Sequence, residues 1–561
     1  MSGIVGFVSF DGQATDRQMI ERMSSVLAHR GPDDRQVWTD RSIGLGHCML
    51  RTTPESVREV QPLVDRRTQT VITADARIDN RKELFSTLKI ASDQGAVMSD
   101  SELILATYHK WGERCPEKLL GVFAFAIWDF RQNKLFCVRD HLGIKPFYYY
   151  YYHPSRFFAF GSEIKALLSI PEIPRRLNEV MVGNYLAAML EDTEHTFYQD
   201  ILRLPPAHTL CIKNHNIQIE HYWLLEPKSL PSDYTDSDYS EAFQELFSEA
   251  VRCRLRSTYP IGSSLSGGLD SSSVVCIARN ELEKESRQPL HTFSYVYDDL
   301  PQCDERQYIQ SVLDQGQMVP HLMQGTQAGP LVDSEQILKQ FDEAVIGPNL
   351  YLFWNLHKAA QNTGVRILLD GFDGDTIVSH GLYYLSELAY KREWTEFTHE
   401  ATLLAQNLDM TPLSIFYGYG ARPLWNLIRS GRPIAFAHDA QKISRHFDIT
   451  QAALWKQVGI KPLLPYNFQK AWRQLRKQKP LKQQMELPIH HQFARRIQFD
   501  ERMAARRKSE PVPHTLDEQH LISLKTGELA YILEFCDKTA AAFSLEARHP
   551  FMDKRLVFTF W

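Results

Sequence analysis

No run of apolar residues in this chain approaches the length needed to cross a bilayer, so a membrane-spanning helix is not expected. The first residues lack a basic segment followed by an apolar core and do not read as a signal peptide. No Cys-x-x-Cys pair occurs among the eight cysteines, which argues against a disulfide framework or a zinc site. Reduced thiols in a cytoplasm are the expectation. The formal net charge is only −5, so nothing in the balance calls for nucleic acid as a partner. Hydrophobic residues at 43% and charged residues at 23% describe an ordinary globular protein. At 561 residues the chain is too long for one core, and two or three domains are expected.

The most informative stretch covers residues 261–280. An apolar start, then Ser266-Gly267-Gly268-Leu269-Asp270-Ser271, then a helical pattern predict strand, tight turn and helix. Gly267 and Gly268 let the backbone turn sharply and approach a ligand. The N–H groups at the helix start form an anion cradle. Asp270 puts a carboxylate at its mouth, which suits Mg²⁺ between carboxylate and phosphate. The same residues also suit a glycine-rich surface turn with a capping aspartate. The lysine of a P-loop is missing, so this is not an ordinary kinase or ATPase cradle.

A second acidic turn follows a predicted buried strand at 365–369: Asp370-Gly371-Phe372-Asp373-Gly374-Asp375. It places carboxylates at the carboxyl end of a parallel sheet, where open α/β folds bind ligands. His380 lies just beyond it and reads as structural or functional. Elsewhere the N-terminal part predicts strands at 2–8, 43–49, 70–74, 122–129, 135–138, 147–151 and 157–161. Helices are predicted at 17–28 and at 102–111, the latter capped by Ser99 or Asp100. Proline, serine and aspartate at 225–239 read as a linker, followed by a helix at 241–256. A strand at 291–297 and a helix at 305–315 continue the α/β alternation. Residues 387–508 read as helical with a basic end, either a solvated face or a platform for a peptide. A helix at 527–543 carries Glu534.

Ser266-Gly267-Gly268-Leu269-Asp270-Ser271 resembles the pyrophosphate loop of the AMP-forming ATP pyrophosphatases. MSGIVGF, AHRGPD, GVFAFAIWD, RDHLGIKPFYY and GSEIKALL are similar to the glutaminase domain of class B asparagine synthetases. The resemblance covers nearly the whole chain. It implies an α/β protein with an N-terminal-nucleophile (Ntn) hydrolase-like αββα sandwich over 1–225 and a linker over 226–240. A doubly wound parallel-sheet ATP pyrophosphatase domain would fill 241–561. It implies ATP and Mg²⁺, with Leu265 through Ser271 and Gly371 at the nucleotide. Ser294 and Tyr295 are candidates beside the adenine, and Asp270 and Asp375 for the metal. The family's late signature is matched at 544–553. Relatives continue for several dozen residues past Trp561 and supply a catalytic lysine there. Either this chain is truncated or its activity is impaired or differently arranged.

The departures are concentrated in the glutamine pocket. The family's nucleophilic cysteine after Met1 is Ser2, a weaker nucleophile without a strong base. Met49 stands where an arginine would clamp the glutamine carboxylate, and a thioether forms no bidentate pair. Asp75 replaces the asparagine that donates to the oxyanion, and Arg77 replaces the glutamate that holds the amine. Only Asp100 still matches the glutamine-binding pattern, and it serves equally as a helix cap. Glutamine hydrolysis is expected to be lost and the domain kept as scaffold. Phe372 replaces a glutamate that supports attack of ammonia. A degenerate glutaminase half beside an intact adenylating half resembles lasso peptide cyclases most. That implies adenylation of an Asp or Glu side chain of a precursor peptide, ring closure by the peptide's own amine, and leader-processing partners. Glu534, Asp373 and His380 are candidate bases. Asparagine synthesis, β-lactam formation and a non-catalytic scaffold are the alternatives.

Overall fold

The structure is a computed structural model that describes residues 2–151, 157–225, 233–327, 329–347, 349–378, 381–408, 410–461, 487–509, 511 and 513–559. Two six-stranded sheets build the N-terminal part. The first runs Ile201–Arg203, Tyr148–Tyr150, Phe157–Gly161, Gly3–Ser9, Ile43–Met49, Asp34–Asp40 from edge to edge. The second runs Asn216–His221, His208–Lys213, Lys134–Arg139, Gly121–Asp129, Thr70–Ile78, Leu63–Asp65. Every pairing among them is antiparallel. The inner faces meet through Ile4, Leu45, Val71, Ala126 and Phe160, all essentially without exposure. Gly121–Asp129 reads as an unbroken apolar run because helices cover the outer faces as well. Helix Arg17–Ser25 lies on the first sheet and Asp100–Trp111 on the second, which completes the αββα sandwich. Ser99 caps the latter in a capping box with Glu102, so Asp100 is its first residue and not its cap.

The second sheet system is wholly parallel, in the order Met318–Gln324, Leu290–Val296, Ile261–Ser264, Ile367–Leu369, Glu546–Arg548. Its first strand in sequence lies in the middle. The chain builds outward on one side of it, then returns to build on the other. The strand order therefore reverses between Ile261–Ser264 and Ile367–Leu369, and at that point a crevice opens beyond the carboxyl ends of the strands. Helix Gly527–Ala541 is buried on nearly all sides, against helices Ser334–Phe341 and Leu350–Asn362 and strand Glu546–Arg548. Its charged Glu534, Asp537 and Lys538 are buried with its apolar residues.

The expected boundaries shift in two places. Helix Asp236–Arg254 begins inside the proposed 226–240 linker, because Thr235 and Asp238 form a capping box. Residues 226–232 of that linker lie outside the described residues. The 241–561 segment is also not one body. Met1–Ile377 and Thr526–Trp561 form one compact unit, and Val378–Lys525 forms another. The second unit is helical, with a core around Trp394, Phe397, Phe416 and Phe436, and Arg392 grips the buried Asp439 through two bonds of 2.6 and 2.7 Å. No helix among the described residues is long and apolar enough to cross a membrane. All eight cysteines are free thiols.

Candidate nucleotide site

The glycine-rich loop is held from below by its own hydroxyls. Ser294 donates to the carbonyl of Leu265 at 2.6 Å, and Leu265 N donates to Phe293 O at 2.9 Å. Ser271 Oγ accepts from Ser266 N at 3.1 Å and lies 2.9 Å from Ser266 Oγ. Gly267 takes φ +94°, the left-handed region that a residue with a side chain avoids. Leu269 is left 87% exposed, which is a cost with no packing return. Helix Leu269–Lys284 starts at Gly268 with no side-chain cap, so its leading N–H groups remain for an anion.

The acidic turn packs directly on this loop. A Cβ on Gly371 would lie 2.4 Å from Ser271 N, and one on Gly374 would lie 2.5 Å from the carboxyl carbon of Asp270. Only glycine permits that approach. It brings Asp375 close enough to act on Asp270, whose carboxyl is raised above its ordinary value by burial and then by Asp375 and Asp373. Two carboxylates that repel each other with no cation between them fit a divalent ion. Above them lies a cavity of about 750 Å³. The loop, Tyr295, Tyr297, Phe353, Asp370 and Phe372 line it. No lysine, arginine or histidine stands among its described lining residues.

The loop residues, Tyr295, Gly371, Asp270 and Asp375 are thus brought together. The other candidates are not. Ser294 is buried and spends its hydroxyl on Leu265 O. Asp373 takes a left-handed φ of +57° and accepts from Thr376 Oγ1 at 2.5 Å, so it shapes the turn and does not line the cavity. Glu534 is also away from the cavity. Tyr148 and Arg203 bond one of its oxygens, Arg139 the other at 3.1 Å, and Lys538 stands 3.4 Å away. Burial alone would raise its carboxyl. Arg203, Lys538 and Arg139 overcome that and hold it far below the carboxylate range, which leaves no capacity to accept a proton at neutral pH. His380 lies outside the described residues. Sequence reasoning missed Asp370 as a lining group, although its place directly after an apolar strand was a usable signal. Tyr297, Asn349 and Phe353 carried no such signal.

The pocket around Ser2, Met49, Asp75 and Arg77 holds about 30 Å³. Ser2 N donates to Asp75 at 3.0 Å, while Ser2 Oγ accepts from Leu50 N at 3.2 Å and touches Met49 Sδ at 4.0 Å. Arg77 crosses to Asp79 at 2.9 Å and to Glu546 at 3.4 Å. Asp100 is taken by Arg81 and by Arg256 at 2.8 Å. Each group a glutamine would need is bonded to the protein or is of the wrong sign. Purified protein is therefore expected to release glutamate from glutamine no faster than its Ser2→Ala variant. Release well above that control would restore the glutaminase reading.

A family model described as a glutamine amidotransferase domain matches residues 1–223, and one described as asparagine synthase matches residues 242–561. Among curated proteins, asparagine synthetase [glutamine-hydrolyzing] 3 of Bacillus subtilis is 35% identical over 53% of this chain and 48% of its own length. A putative asparagine synthetase of Methanocaldococcus jannaschii is 33% identical over 56% of this chain and 63% of its own. Amidase chyE of Penicillium rubens is 26% identical over 67% of this chain and 58% of its own. The chain spans about half the length of the curated relatives it matches.

Proposed function

The chain belongs to the asparagine synthase family, and from that premise we propose that it is an ATP-dependent ligase that joins a carboxylate to an amine through an acyl-adenylate. The observation that supports this most is the single cavity shared by the glycine-rich loop and the carboxylates of Asp270 and Asp375. The helix start at Gly268 would bind the terminal phosphates and orient the α phosphate toward the acid. Asp270 and Asp375 would hold Mg²⁺, which when bound neutralises phosphate charge. The apolar wall of Phe353 and Phe372 would exclude water, so an activated acid meets the amine before it hydrolyses.

A second reading narrows the substrates. The filled glutamine pocket favours an amine carried by the substrate itself over one released from glutamine. On this reading the acid is an Asp or Glu side chain of a precursor peptide. The peptide's own amine closes a macrolactam, and leader-processing proteins are the partners, as in lasso peptide cyclases. An attack within one molecule gains several kcal/mol, on the order of the 7–11 that positioning can supply.

One assay tests both readings. ATP–pyrophosphate exchange is measured with free aspartate and with aspartyl peptides, followed by mass spectrometry of the peptide. Exchange at least tenfold over the acid-free blank, with AMP and pyrophosphate as products, is expected. Loss of one water from a peptide supports the narrower reading, and asparagine from free aspartate and ammonia sinks it. ADP and phosphate as products would overturn the ligase reading altogether.

A further inference from the structure

With Glu534 and Asp373 away from the cavity, the proton released by an attacking amine needs another acceptor. Asp370 directly follows strand Ile367–Leu369 and lines the cavity. Only one of its carboxylate oxygens is engaged. Oδ1 accepts from Phe372 N at 3.1 Å and lies 2.8 Å from His549 Nδ1. Oδ2 has no hydrogen-bond partner among the described residues, and a fifth of the side chain is exposed.

His549 is placed to hold this carboxylate. Its side chain is 1% exposed, with the ring edge-on to Phe372 at 5.7 Å between centroids. Nε2 is buried with no partner among the described residues. A buried N–H without an acceptor is costlier than a bare ring nitrogen, so Nδ1 is the nitrogen that donates to Asp370. Two further groups face Asp370. His357, on helix Leu350–Asn362, is pushed down to about 4 by burial and spends Nδ1 on Phe353 O at 2.6 Å. The Cys536 thiol, on helix Gly527–Ala541, is raised by burial and stays protonated. At neutral pH neither competes with His549.

We propose that Asp370 is the general base of amide formation and that His549 is its positioning residue, an assignment that rests on the ligase reading above. The amine nitrogen attacks the carbonyl carbon of the acyl-adenylate. A C–N bond forms, the C–O bond to AMP breaks, and that electron pair leaves on the AMP phosphate. The proton lost by nitrogen passes to Asp370 Oδ2.

Asp370→Asn keeps the shape and removes the base. Exchange and amide formation are measured side by side, with free aspartate and N-acetyl-aspartyl amide as acids and methylamine as nucleophile. Amide formation is expected to fall on the order of 10²–10⁴-fold more than exchange does. Hydroxylamine, a weaker base that is already neutral, should lose much less. His549→Asn, which retains a donor near Nδ1, should recover rate that His549→Ala loses. Equal loss of exchange and amide formation in Asp370→Asn would overturn the assignment, as would no loss at all or a His549→Asn variant no faster than His549→Ala. Absence of exchange in the wild type would overturn the ligase reading, and this assignment with it.

Discussion

Asp270→Ala and Asp375→Ala are each expected to lose magnesium-dependent ATP affinity on the order of a hundredfold, about 2.8 kcal/mol at 1.4 kcal/mol per decade. The cavity has no cationic side chain among its described lining residues, so on the proposed reading a metal ion held by Asp270 and Asp375 would balance the phosphates. The expected effect on folding has the opposite sign. Burial and the neighbouring Asp375 raise Asp270 above the unfolded value. Such a group favours the fold at low pH and loses that contribution as pH rises through the folded value. At neutral pH the charged Asp270 is therefore a burden on the ligand-free protein, and Asp270→Ala should keep or slightly raise its melting temperature. Calorimetric titration with ATP in the presence and absence of Mg²⁺ checks the first part, and thermal melts check the second. Unchanged affinity in both variants would sink the metal assignment, and a large fall in melting temperature would recast these residues as structural.

Arg30→Met is the substitution expected to damage the fold most. Arg30 is fully buried and bonds Glu163 at 2.9 Å, Asp537 at 2.5 Å and the carbonyl of Ser2 at 3.0 Å, with Asp75 at 3.7 Å. Those partners come from the sandwich and from helix Gly527–Ala541, so one guanidinium ties the two halves of the larger unit together. Removing it leaves buried carboxylates short of a counter-charge, which costs about 3–5 kcal/mol. At roughly 2–4 °C per kcal/mol the melting temperature should fall by about 6–20 °C.

The pH dependence of that deficit can be predicted. Burial would raise Glu163, but His29, Lys165 and Arg30 together hold it well below the carboxylate range. Its contribution is fully present above the unfolded value near 4.3 and is lost as pH falls toward the folded one. The gap between wild type and Arg30→Met should therefore be complete at pH 7 and close progressively below about pH 5. A gap of under 1 kcal/mol at pH 7, or one that widens in acid, would refute this account.

Local patterns in the chain were enough to determine the strand, turn and helix at 261–284, because glycine pairs and apolar periodicity act over a few residues. Strand Ile43–Met49 was likewise legible. Strand Glu546–Arg548 was not legible, since three residues carry no period and become a strand only by pairing with Ile367–Leu369. The candidate site divides in the same way. Asp270 and Asp375 stood out through the family resemblance of their turns, but nothing local to Glu534, Asp373 and Asp370 told which of them reaches the cavity. All three are acidic and near signature motifs. Only the fold surrounds Glu534 with Arg139, Arg203 and Lys538, turns Asp373 toward Thr376, and sets Asp370 in the cavity lining. A carboxylate's role depends on the charges and water within a few ångströms of it, and the deciding neighbours, Arg139 and Arg203 for Glu534 and His549 for Asp370, lie more than a hundred positions away.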